Sequence, residues 1–153
     1  MAKASLPIVI LFLIAPLACP AQDIGDSVRS RVACNNTEQQ LVSYLVSQRN
    51  EGVPVETMIE RSNSLPENDG SRYINIGRVE DVYLDKSLTR NTLFAYRSAR
   101  CLEGTLLQDF KPYQDFTRTE LLKCQALGYP SDRKFGNCVY KVVYSLQEKA
   151  SKR

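Results

Sequence analysis

Residues 124–146 read CQALGYPSDRKFGNCVYKVVYSL, and the fold turns on how this stretch is read. Phe135, Cys138, Val139, Val142, Val143 and Leu146 recur at i, i+3, i+4, i+7, i+8 and i+11. That spacing puts all of them on one stripe of an α-helix, whereas a strand would throw alternate residues to opposite faces. The helix is expected over about residues 132–149, after the turn at Pro130-Ser131. Upstream, Thr117-x-x-Glu120 has the form of a capping box, and Leu121, Leu122, Cys124 and Leu127 follow it to a stop at Gly128. Two helices joined by a tight turn pack antiparallel, which brings Cys124 against Cys138.

The same period runs back through the chain. Thr37-x-x-Gln40 predicts a helix start, with Asn36 as an alternative cap. Leu41, Tyr44, Leu45 and Gln48 then share a face that Val42 and Val46 widen, as far as the Asn50-Glu51-Gly52 stop. Pro54 suits the first position of a short helix carrying Val55, Met58 and Ile59. Residues 62–70 read as a loop, and Tyr73, Ile76, Val79, Val82 and Tyr83 predict a helix over 72–84. Tyr, Ile and Val also favour strands, so a strand is the alternative there. Thr89 caps a fourth helix through Leu93, Phe94, Tyr96, Arg97 and Cys101, which ends at Gly104. The expected fold class is all-α: a compact bundle of about five to six short helices with two disulfides.

The chain begins differently. Lys3 precedes an uncharged apolar run from Leu6 to Leu17, broken only by Pro7 and Pro16, and Cys19-Pro20-Ala21 supplies small residues before Gln22. This order is that of a secretory signal peptide, expected over residues 1–21. The run is too short for a transmembrane segment, which needs about 20 apolar residues. Cleavage before Cys19 is the alternative, making Cys19 a lipidation site, although Pro16 stands where a lipobox has Leu. Removal of 1–21 leaves 132 of the 153 residues: a flexible lead-in over 22–33, then a single helical domain over 34–150. Within that domain, 34–104 is the first helical part and 117–150 the C-terminal disulfide hairpin.

Cys19 is the odd member of five cysteines. The remaining Cys34, Cys101, Cys124 and Cys138 allow three pairings in an exported chain. The helix layout favours Cys34–Cys101 and Cys124–Cys138, because antiparallel packing of the first and fourth helices sets the start of one beside the end of the other.

The absence of histidine removes the commonest general base, Ser-His-Asp and Cys-His catalysis, and mixed Cys/His zinc sites. Glu56 and Glu60 at i,i+4, and the adjacent Glu80-Asp81, are the carboxylates a small hydrolase would need; solvated helix faces account for them more simply. Ser131-x-x-Lys134 matches an acyl-transfer motif without its companions, and a helix cap explains Ser131 better. No catalytic residue, cofactor or metal ligand is assigned. Once Lys3 is removed, 19 basic side chains stand against 17 acidic ones in a scattered pattern, which gives no reason to expect nucleic acid as a partner. Asn35-Asn36-Thr37 is a sequon, so Asn35 is a glycosylation candidate in a eukaryotic secretory pathway. Phe110, Tyr113 and Phe116 form an aromatic row read as packing rather than as a ligand platform.

Cys124-Gln125-Ala126-Leu127-Gly128-Tyr129 followed by Phe135-Gly136-Asn137-Cys138-Val139 resembles a C-terminal hairpin of uncharacterised small exported bacterial helical proteins and lipoproteins. Ser131-Asp132-Arg133 departs from the Gly-Thr turn of that pattern. Gln48-Arg49-Asn50-Glu51-Gly52-Val53-Pro54 resembles an Arg-x-x-Gly-Val-Pro turn in similar periplasmic proteins. The resemblance implies location and bracing, and no reaction. The expectation is a non-catalytic exported envelope protein, periplasmic or secreted: a binding, accessory or inhibitor module with an envelope protein as partner. A lipid-anchored structural protein and a carboxylate-based hydrolase are the alternatives.

Overall fold

The computed structural model describes residues 22–64, 71–128 and 132–152. Among these the chain forms six α-helices and no strand: α1 Gln22–Asn50, α2 Val55–Asn63, α3 Ser71–Tyr83, α4 Arg90–Leu102, α5 Gln114–Gln125 and α6 Arg133–Ser151. A 3-10 turn, Lys111–Tyr113, leads into α5. The protein is all-α, and 72–84 is helix rather than strand. The segment expected as a leader, with Cys19, lies outside the described residues, as does Ser131.

α4 is the axis of the bundle and packs against α1, α3, α5 and α6. Tyr96, Arg97, Ser98, Ala99 and Arg100 are consecutive and all buried. At 100° per residue five such positions cover the whole circumference, the mark of a helix enclosed on every side. Around it, α6 presents Phe135, Val139, Val142, Val143 and Leu146, α1 presents Val42, Leu45 and Val46, and α3 presents Val79 and Val82.

Several boundaries differ from the sequence expectation. α1 begins at Gln22, so residues 22–33, expected as a flexible lead-in, are helical, and Thr37 lies inside the helix instead of capping it. Neither proline nor glycine interrupts residues 26–51, so nothing in the chain stops the helix at 36. The buried stripe of α1 is also rotated: Leu41 and Tyr44 are 37% and 50% exposed, while Glu38, Val42, Leu45, Val46 and Arg49 are buried. A stripe drawn through apolar residues alone misses the two charged positions that complete it. α5 starts at Gln114, and the Thr117 hydroxyl donates to the Tyr113 carbonyl at 2.9 Å instead of capping.

Other local readings are met. Thr89 Oγ1 accepts the Thr92 N–H at 3.3 Å and caps α4. At α6 the cap is Asp132, which accepts the Lys134 N–H at 2.8 Å, where the sequence reading names Ser131. Gly104 and Gly128 take φ of 65° and 115° just after α4 and α5, a region that glycine enters without steric cost.

Both expected disulfides are present. Cys34–Cys101 ties α1 to the last turn of α4 with a Cα separation of 5.8 Å, and Cys124–Cys138 ties α5 to α6 at 5.5 Å. The loops they close span 67 and 14 residues. Chain-entropy reasoning assigns them about 4 and about 3 kcal/mol.

Candidate functional site

The deepest polar feature is a chain of alternating charges through the core. Glu38 on α1 accepts a bidentate pair from Arg78 on α3, with Nη2 at 2.7 Å and Nε at 2.9 Å. Its Oε2 also accepts from Arg97 Nε at 3.2 Å. Arg97 Nη1 donates to Asp81 Oδ2 at 2.7 Å, and Arg100 Nη1 donates to the same oxygen at 2.9 Å. Glu38 and Arg97 are 1% and 0% exposed, so these groups have left water and are stable only through one another. Burial alone would raise the Glu38 carboxyl, but the Arg78 hydrogen bonds and the Arg97 and Arg78 charges outweigh it and hold the group below its usual value. Burial likewise opposes the Arg97 charge, yet Asp81 and Glu38 leave that guanidinium more basic than usual.

Arg100 carries the chain of charges to a surface crevice. Its Nη2 donates to the carbonyls of Thr105 and Gln108, at 2.8 and 2.9 Å, and its guanidinium stacks 4.5 Å from the Phe110 ring centre. The connector from α4 to α5 is therefore clamped rather than free. Thr105 N–H returns to the Arg100 carbonyl at 2.9 Å, and Asp109 accepts the Lys111 N–H at 2.9 Å. Across from the connector, Tyr73, Ile76, Gly77, Glu80 and Asp81 recur at helical spacing and form the α3 wall, which Leu84 extends just past the helix end. The space between is about 270 Å³, and Lys111 Nζ reaches Glu80 at 2.7 Å where it opens to solvent.

Tyr96 lines the inner side of this crevice. Its side chain is buried, and its hydroxyl lies beside the Arg100 guanidinium, one helical turn on. Burial, together with the Asp81 charge, pushes the phenol far above its ordinary value, so it keeps its proton throughout the physiological range.

A second, more apolar groove of about 210 Å³ lies among α1, α2 and α3, with Leu41, Tyr44, Met58 and Val79 in its lining. At the end of α3, Arg49 Nη1 donates to the carbonyls of Val82 and Asp85 at 2.8 and 2.9 Å, and its Nη2 to that of Leu88 at 3.1 Å. The bond to Val82 satisfies a carbonyl that the end of α3 leaves open, and the other two hold the connector that leads to α4.

The residues singled out in the sequence do not converge. Glu56 and Glu60 are exposed on α2. Glu80 is paired with Lys111 and Asp81 with two arginines, so the adjacent acids form structural ion pairs. Asn35 is exposed on α1 beside Cys34. Of the aromatic row, Phe110 is buried under Arg100, Tyr113 Oη donates to the Lys149 carbonyl at 2.9 Å, and Phe116 lies 4.8 Å beneath the Lys149 ammonium. Among the described residues, no group of three or more Cys, Asp or Glu side chains is placed to hold a metal ion, and no helix is long and apolar enough to cross a membrane.

Sequence reading missed Glu38, Arg49, Arg78, Arg100 and the Tyr96 hydroxyl. The signal was there: Glu38, Val42, Leu45 and Arg49 are spaced 4, 3 and 4, as a buried helix stripe is.

No family model, curated protein or solved structure matches this chain.

Proposed function

We propose that this is an exported, non-catalytic binding protein of a bacterial envelope, acting as an accessory or inhibitor module on an envelope protein. One observation carries the reading: a crevice of about 270 Å³ held open by a clamped connector, in a helical frame crossed by two disulfides. Rigid walls favour binding because little order must be imposed when a partner arrives. Disulfides persist in oxidising compartments, which suits export, and the Lys3 and Leu6–Leu17 pattern supports the same route. The resemblance of the 124–139 hairpin to small exported bacterial proteins supports the envelope.

The competing hydrolase reading needs two carboxylates facing a substrate. Glu80 and Asp81 instead engage Lys111, Arg97 and Arg100. Leu107 is 65% exposed at the crevice, so a photo-crosslinker placed there tests the proposal. In cells, one envelope protein is expected to be trapped from position 107 and not from the exposed Glu60. Loss of the adduct at 107, or hydrolysis of peptidoglycan, peptide or ester that Glu80→Gln abolishes, overturns it.

A further inference from the structure

Leu41 and Tyr44 belong to the apolar pattern of α1, yet the fold leaves them 37% and 50% exposed. Both line the groove of about 210 Å³ among α1, α2 and α3, beside the buried Leu45, Met58 and Val79. Apolar surface gathered in one concavity gains free energy when a side chain from outside covers it.

Charge selects the occupant. No carboxylate lines the groove, and two arginines do. Arg78 is already paired with Glu38 through two hydrogen bonds. Arg61 is exposed on α2 and bonds only neutral groups: its Nη1 donates to Gln48 Oε1 at 3.1 Å and to Met58 Sδ at 3.5 Å. Glu51, one step further along that network, is engaged by the Ser47 hydroxyl and the Gln48 amide. A guanidinium thus stands at an apolar recess with no anion against it, and guanidinium–carboxylate pairs are the strong, directional ones. We propose that the groove is a docking site for the C-terminal residue of a partner protein, whose aliphatic side chain enters the recess while its main-chain carboxylate pairs with Arg61.

Size points to a single residue. Sites that bury a whole small ligand occupy about 300–1,000 Å³. The groove, at about 210 Å³, equals roughly seven waters at about 30 Å³ each. A chain end carries carboxylate and side chain on one Cα, so one residue meets both the cation and the apolar lining. The inference rests on the binding reading above and adds a second contact to it. Asn75, Arg78 and Val79 lie on the face of α3 opposite Tyr73, Gly77 and Glu80, so groove and crevice are separate surfaces.

The test is a titration of the disulfide-bonded protein with N-acetyl-Gly-Ser-Leu bearing a free carboxylate, followed by amide and methyl chemical shifts. Saturable shifts at Leu41, Tyr44, Met58 and Asn75, with a Kd in the millimolar range or below, are expected. The same peptide as its C-terminal amide should bind at least about fivefold more weakly. Arg61→Gln should remove that difference while moving the urea midpoint by less than about 0.3 M, as an exposed substitution does. Equal binding of acid and amide to the wild-type protein overturns the assignment, however the variant folds. So does the absence of saturable shifts up to about 20 mM. Octanoate binding more tightly than the peptide at the same residues would make the occupant a free aliphatic acid and overturn the chain-end assignment. A crosslinked partner at 107 without peptide binding overturns this inference and leaves the broader reading standing; peptide binding without the adduct does the reverse.

Discussion

Replacing Glu38 by glutamine probes the charged core most sharply. The carboxylate accepts three hydrogen bonds, two from Arg78 and one from Arg97, at 2.7, 2.9 and 3.2 Å, in a position 1% exposed. Glutamine keeps one acceptor oxygen, turns an N–H₂ toward cationic donors and removes the only carboxylate shown paired with Arg78. Breaking one partner of a buried pair costs about 3–5 kcal/mol. Arg97 keeps Asp81 and Arg78 keeps Asn75 Oδ1, so the low end, about 3 kcal/mol, applies. With a urea slope of about 2 kcal/mol/M, the midpoint should fall by about 1.5 M at unchanged slope. Glu120, half-buried at the surface and paired with the exposed Lys123 at 2.6 Å, is the control, and its glutamine variant should move the midpoint by less than about 0.3 M. The pH dependence follows from the same pair. Because the folded carboxyl sits below its ordinary 4.5, the unfolded chain binds the proton first. The stability that Glu38 contributes is complete above that value and is lost as pH falls through the lowered folded one. Wild type and Glu38→Gln should therefore converge in acid. A midpoint change under about 0.3 M at pH 7, or a gap that widens on acidification, refutes the reasoning.

Three further outcomes are expected. Serine replacement of Cys34 and Cys101 should lower stability by about 4 kcal/mol and replacement of Cys124 and Cys138 by about 3, read as urea midpoints; the reverse order would show that loop length does not govern the effect. Arg49→Lys keeps charge but loses at least one of the three carbonyl contacts at the end of α3, so about 2 kcal/mol of stability should go and amide exchange near Asp85–Leu88 should quicken; unchanged exchange would contradict the clamp. Gly77→Ala should raise stability by about 0.5–1 kcal/mol, because the helix gains a better former and the added Cβ comes no nearer than 4.0 Å to Arg97 Nη1; a loss would show that α3 needs glycine there.

The helical frame was legible wherever apolar residues alone define a face. α6 is the clearest case, since the whole stripe from Phe135 to Leu146 is buried as its spacing requires. The cysteine pairing was legible for the same reason: once the helices are antiparallel, only one pairing joins neighbouring ends. The crevice was not legible. Its inner side is made by Arg100 and Asp81, and hydropathy patterns send such residues outward because a charge is expensive to bury alone. Only three-dimensional pairing across α1, α3 and α4 makes their burial affordable. The start of α1 was misread because Asn36 and Thr37 look like caps, and nothing local tells a cap from a helix-interior residue.

Mass analysis of the protein recovered from cells expressing all 153 residues, with peptide mapping under non-reducing conditions, tests the exported and disulfide-braced reading together. The expected result is a chain starting at Gln22 with Cys34 linked to Cys101 and Cys124 to Cys138. Free thiols on a chain that keeps residues 1–21, or a Cys34–Cys124 link, would contradict it, and a diacylated Cys19 would replace the free binder with an anchored one.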